Sequence, residues 1–171
     1  EFHATVVGNG NLQVLPIAEM DFSTIVEDRD RVCTYDSKFT PASRDYQMIQ
    51  LILPAVLTKD EQENLEEVAL KTYQVTDCRD YARLDIRLRD GTFYVLDVNP
   101  NADISPDTSP ILSAEMAGYS YGEFNSLVVH LAAHRHPMLG LSRAAWNGKK
   151  EFESTLSSVN ESNPTPPKGA C

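Results

Sequence analysis

Positive charge is in short supply. The 171-residue chain carries 15 Lys and Arg against 25 Asp and Glu, a formal net charge of −10. That balance excludes nucleic acid as a partner, because a phosphate-tracking surface needs a basic footprint. A nucleotide remains admissible where a divalent cation screens its phosphates. Long apolar runs are missing too: no stretch approaches the roughly eighteen residues of a membrane span, and no signal peptide is visible. No membrane association is expected. The three cysteines, Cys33, Cys78 and Cys171, are odd in number, far apart and form no CxxC pair. This excludes a disulfide framework and suits reduced thiols in a cytoplasmic protein. Internal repeats are absent. With 42% hydrophobic residues the chain is long enough for one domain with a real core.

What is present is organised around YARLDIRLRDGTFYVLDVNPN, residues 81–101. Leu84, Ile86 and Leu88 alternate with Arg83, Asp85 and Arg87, and Tyr94, Leu96 and Val98 alternate with Val95, Asp97 and Asn99. A period of two marks half-buried strands, and Asp90-Gly91 marks the reversal between them. A three-residue loop bulged at Gly91 pairs 89 with 93, 85 with 97 and 83 with 99. Paired residues project to the same side of an antiparallel ladder. One face then carries Arg83, Asp85, Asp97 and Asn99, over an apolar face of Leu84, Ile86, Leu96 and Val98. Two opposed carboxylates repel unless a cation lies between them, and a divalent metal is the candidate. The bland alternative is a hydrated polar surface.

The stretches RDYARLDIRL and YVLDVNPNADISPDTS resemble the C-terminal half of the ATP-grasp fold, closest to D-alanine–D-alanine ligase and related carboxylate–amine ligases. The resemblance covers roughly residues 1–135 and implies an α+β fold, a mostly antiparallel sheet flanked by helices. It further implies that Arg83 is catalytic, polarising the reacting carboxylate and its acyl phosphate. Asp85, Asp97 and Asn99 would hold Mg²⁺ (or Mn²⁺) on the phosphates of ATP. Asp97 is shorter than the Glu usual at its position, so a metal bridge there needs a closer backbone. Glu1-Phe2 matches a Glu-Phe that follows the adenine hinge, which implies ATP binding through Glu1 and the ribose; the same dipeptide also reads as a cloning remnant. Lys38, in TYDSKF, matches a mobile-loop lysine that reaches the ATP phosphates, although a single loop lysine is ordinarily a solvated charge. Phe39 stands where many members carry Tyr. After Asn99, a substrate-binding glycine slot falls on Asp103 and a substrate-binding hydroxyl on Thr108, to within one residue. An anionic side chain beside a developing oxyanion is unfavourable, which counts against D-alanine as a substrate.

Elsewhere the signals are structural. Asn9-Gly10 joins HATVVG and LQVLPIAEM as a hairpin. Thr58 and Glu61 form a capping box opening a helix to about Tyr73, with Leu65, Val68, Ala69 and Thr72 on its inner face. Asp107, Thr108 or Ser109 caps a helix ending at Gly118, and Ser120 opens another with Phe124, Leu127, Val128, Leu131 and Ala132 as its stripe. His130 and His134, with His136 nearby, have zinc-ligand spacing, but nothing completes the set and a polar helix end is the simpler reading. Residues 1–140 form the expected ATP- and Mg-binding subdomain, and 141–171 a weak helix followed by a Pro-rich disordered tail.

The expected function is ATP-dependent ligation of a small-molecule carboxylate to an amine through an acyl phosphate. In the resembled family the N-terminal half of the fold precedes such a segment, so the chain reads as the C-terminal part of a ligase and is expected to be inactive alone. A catalytically inactive half-fold that binds a metal or a protein is the alternative.

Overall fold

A computed structural model describes residues 1–27, 31–33 and 48–138. The loop bearing Lys38 and Phe39 and the segment 141–171 lie outside the described residues. The order is β1 (Phe2–Val7), β2 (Gln13–Val14), β3 (Ala18–Asp21), β4 (Gln50–Ile52), α1 (Lys59–Val75), β5 (Tyr81–Arg89), β6 (Thr92–Asn99), α2 (Ser109–Met116) and α3 (Tyr121–Arg135). Every strand pairing among the described residues is antiparallel. The sheet runs β4-β3-β1-β5-β6, with β2 also paired to β1. This is the expected α+β arrangement. The chain divides into units Glu1–Leu131 and Ala132–Cys171. Of the second, the described part is the last turn of α3 and the turn that ends it, where the His136 N–H donates to the Ala133 carbonyl at 3.1 Å. No helix among the described residues is long and apolar enough to cross a membrane.

The expected capping box opens α1: the Glu61 N–H donates to the Thr58 hydroxyl at 3.3 Å and the Thr58 N–H to the Glu61 carboxylate at 2.9 Å. From there Leu65, Ala69 and Tyr73 recur every four residues and are buried. They pack on Phe2, Ala4 and Val6 of β1 and on Ala82, Leu84 and Ile86 of β5. These six strand residues alternate along the chain and share one face of the sheet. On the opposite face Val7 and its partner Tyr81 meet Ile111 and Ala114 of α2 and Phe124 of α3. Among the described residues α1 therefore covers one face, and α2 and α3 pack on the other, with their apolar contacts at its Tyr81 end.

The central hairpin forms, with a different register from the one expected at its tip. Asp90 and Gly91 both have positive φ, 51° and 73°, and Arg89 pairs with Thr92 across a two-residue loop. A mirror-image turn of this kind matches strand twist, so no bulge is needed at Gly91. The irregularity lies deeper: Ile86 faces Val95 while Asp85 faces Asp97, which leaves Leu96 as the extra residue. Leu96 is accordingly 55% exposed and is not part of the apolar face. The bulge restores the expected pairings of Asp85 with Asp97 and Arg83 with Asn99.

The first hairpin also differs in its turn. Asn9 is not spent on the reversal. Its side chain accepts from the Asp80 N–H at 2.7 Å and donates to the Asp80 carboxylate at 2.8 Å. The Gly8 N–H donates to the Asp80 carbonyl at 2.8 Å, and the Tyr73 hydroxyl donates to the Gly8 carbonyl at 2.8 Å. The clasp ties β1 to the chain entering β5. Gly8 adopts φ +126°, and a Cβ there would lie 2.2 Å from the Asn11 carbonyl oxygen. Gly8→Ala is expected to lower stability by about 2 kcal/mol or more. Gly10, where an added Cβ meets nothing within 4 Å, tolerates Ala. Chemical denaturation of the two variants side by side checks this.

Candidate functional site

Strand register assembles the site. Across β1 and β5, His3 faces Asp85 and Thr5 faces Arg83. Across β5 and β6, Asp85 faces Asp97 and Arg83 faces Asn99. Two rows result, His3–Asp85–Asp97 and Thr5–Arg83–Asn99, on the face opposite α1. The rows adjoin the part of that face covered by α2 and α3. Ser109, the first residue of α2, lies with its Oγ 2.9 Å from His3 Nδ1.

Asp85 is 4% exposed. Its Oδ1 accepts from Arg83 Nε at 2.7 Å and its Oδ2 from Arg83 Nη2 at 3.0 Å, a two-pronged ion pair between neighbours on one strand face. His3 Nε2 lies 3.8 Å from the same carboxylate and 4.0 Å from Glu1 Oε1. The expectation that Asp85 and Asp97 repel each other without a metal is thus corrected. Asp85 is already compensated by Arg83, and Asp97, on an edge strand, is exposed to water. Asn99 is half-buried, and its Oδ1 accepts from the Asn101 N–H at 3.2 Å.

The loop after β6 is built by side-chain-to-backbone bonds. Asp103 accepts from the Ser105 hydroxyl at 2.6 Å and from the Ser105 N–H at 2.8 Å. Those two bonds hold its carboxyl below the ordinary range, with the Arg83 charge contributing less. Tyr81 donates from its hydroxyl to the Ala102 carbonyl at 2.7 Å. Its pKa is raised by burial first and by the Asp103 charge second. Thr108 is the N-cap of α2, yet its hydroxyl donates to the Ser105 carbonyl at 2.8 Å and makes no bond to the helix.

The structure therefore brings together Arg83, Asp85, Asp97 and Asn99 on neighbouring strands, with Glu1 immediately before β1 and near His3. Asp103 and Thr108 follow in the loop leading into α2, and Lys38 lies outside the described residues. Sequence reasoning missed His3 and Ser109. Alternation in HATVVG separates His3 and Thr5 from Ala4 and Val6, a usable signal for a mixed face. The pairing of β1 with β5 spans some eighty residues of sequence and leaves no local mark.

The geometry separates the two acids. Asp85→Asn should cost about 2–3 kcal/mol, since it strands a guanidinium in a largely dehydrated pair. Asp97→Asn should leave stability unchanged. Urea unfolding of both variants without metal is the measurement; equal effects would contradict the assignment of Arg83 to Asp85.

Comparison with known proteins places this arrangement. The family described as "D-ala D-ala ligase C-terminus" matches residues 1–132. A D-alanine–D-alanine ligase of Desulforamulus reducens is 33% identical over 132 residues, covering 77% of this chain and 39% of that protein. An uncharacterised protein of Sinorhizobium fredii is 28% identical over 137 residues, covering 80% and 39%. Among solved structures, the D-alanine–D-alanine ligase of Bacillus anthracis complexed with ATP superposes with a TM-score of 0.56 at 18% identity, over 76% of this chain and 36% of that one. That likeness bears on the fold. The chain spans about two-fifths of the length of the curated relatives it matches. With the sheet order, the paired strand motifs and the family match in agreement, the chain belongs to the D-alanine–D-alanine ligase C-terminal family, the C-terminal half of an ATP-grasp fold.

Proposed function

We propose that this chain supplies the phosphate-facing half of the active site of an ATP-dependent carboxylate–amine ligase that works through an acyl phosphate. The observation that carries the reading is the bulged β5–β6 register, which aligns Arg83 with Asn99 and Asp85 with Asp97. Two carboxylates and an amide oxygen form a hard donor set suited to Mg²⁺ or Mn²⁺. The donors engaged by Arg83 and by the Asn101 N–H keep a second lone pair each. A divalent cation held by Asp85, Asp97 and Asn99 would neutralise phosphate oxygens. The bulge at Leu96 immediately precedes Asp97 and is a means of aiming a side chain shorter than Glu.

Arg83 is the charge-stabilising group. Its Nε/Nη2 edge is committed to Asp85, so the opposite side of the guanidinium is the one that faces the acyl phosphate and the oxyanion formed on amine attack. The buried pair keeps that cation oriented before substrate arrives, which is where electrostatic catalysis draws its advantage. Glu1 is assigned to the ribose and Lys38 to the terminal phosphate. Asp103 and Thr108 are assigned to the carboxylate-bearing substrates, small molecules in the cytoplasm. Asp103, ionised and turned into the Ser105 bonds, disfavours D-alanine as the amine acceptor.

A second reading is a partner-binding half-fold, favoured by one observation: the edge strand β6 exposes Tyr94 and Leu96 at 52% and 55%. Two experiments distinguish the readings. Mn²⁺ titration of this chain should give weak binding alone and tighter binding with a non-hydrolysable ATP analogue, both lost in Asp97→Asn. Within its full reading frame the protein should release ADP against a panel of amino acids, and Arg83→Ala should lower the rate by about a thousandfold or more. Asp103→Gly should shift the preferred acceptor while nucleotide binding is kept. Full activity of Arg83→Ala would remove the ligase mechanism.

A further inference from the structure

The side chains of Glu1, His3 and Cys33 converge. One donor atom from each lies within 4.8 Å of the other two, and His3 is buried while Glu1 and Cys33 are half-buried. Glu1 immediately precedes β1, His3 lies on it, and Cys33 arrives from a separate segment. Carboxylate, imidazole and thiolate form a mixed O/N/S set. Hard cations such as Mg²⁺ do not select sulfur, whereas Zn²⁺ takes all three donors.

The surroundings of His3 match what a ligating imidazole requires. Its Nδ1 lies 2.9 Å from Ser109 Oγ. A hydroxyl accepting there fixes the proton on Nδ1 and leaves Nε2 as the donor atom toward the cluster, the usual arrangement around a metal-bound histidine. Nε2 faces Glu1 Oε1 at 4.0 Å. In a tetrahedral zinc site the ligand atoms stand about 3.5 Å apart, so small side-chain rotations close the distance. Asp85 Oδ1 also lies 3.8 Å from Nε2, but both oxygens of that carboxylate are bonded to Arg83. Three protein ligands and an open fourth position for water is the expected stoichiometry.

We propose that Glu1, His3 and Cys33 form a zinc-class metal site positioned by Ser109, adjoining the hard-cation donors Asp85, Asp97 and Asn99 but sharing none of them. Binding deprotonates the Cys33 thiol, whose proton passes to solvent, and uses the neutral imidazole. It draws on Glu1, the residue assigned above to the ribose, so metal and nucleotide compete for that carboxylate.

Co²⁺ serves as the probe for the 171-residue chain, because thiolate ligation gives an intense charge-transfer band that oxygen ligation does not. One equivalent of Co²⁺ should develop that band, and Zn²⁺ should displace it. Cys33→Ser, at a half-buried position outside the core, should abolish the band and weaken binding by roughly tenfold or more. Cys171→Ser and Asp97→Asn should leave it intact. Ser109→Ala should retain the band at roughly tenfold lower affinity, the signature of a positioning residue. No thiolate band from the folded wild-type chain, or a band that survives Cys33→Ser, overturns the site.

Discussion

A carboxylate sits almost without water in the middle of a sheet, and a guanidinium two residues away on the same strand makes that tolerable. Burying Asp85 alone would cost several kcal/mol, or would force the group neutral. The fork of Arg83 removes that cost and fixes its own orientation at the same time. Much follows from this pair. It requires β5 to be central, with β1 on one side and β6 on the other. It requires the polar face to be roofed only in part, since full cover by α2 and α3 would bury further charge. The sheet is accordingly asymmetric: α1 seals one face with Leu65, Ala69 and Tyr73, while the other is apolar at Val7 and Tyr81 and polar beyond.

The legible parts of the sequence were those with a short physical reach. Alternation in residues 81–99 identified both strands and the face of Arg83 and Asp85, because side-chain period is a local property. The capping box at Thr58 and Glu61 was readable for the same reason, and the start of α2 was readable as one of Asp107, Thr108 and Ser109. The fold class and the paired strand motifs came through resemblance. The hairpin register was right at the acids for an incomplete reason: a turn-bulge at Gly91 and a bulge at Leu96 both shift the pairing by one, and only the backbone tells them apart.

What stayed hidden is non-local. Asn9 looks like a turn residue in any local window, yet its amide is spent on Asp80, which sits in a left-handed conformation with φ 66°. The Arg83–Asp85 pair was within two residues and still escaped notice. Repulsion between facing acids was weighed across the strands and not along them. His3 depended on a β1–β5 pairing, and Ser109 on the placement of α2 over that pairing. In both cases the information lay in tertiary contacts, which no window of a dozen residues contains.

The extra residue at Leu96 has a consequence for how this hairpin can vary in length. Strand faces obey parity, so each single insertion or deletion exchanges inside for outside from that point onward. Counting from the Asp90-Gly91 tip, the outer half of the hairpin has even parity and the inner half, holding the acids, has odd parity, with Leu96 as the step between them. Turn and site are thereby insulated from each other. Descendants of this chain can lengthen or trim the tip in matched pairs without disturbing the acids. A one-residue change confined to β6 between tip and site is admissible only if it is compensated at the same step. The permissible lengths of the hairpin thus form a discrete series, and the bulge sets which member of that series keeps Asp97 and Asn99 on the side of Arg83.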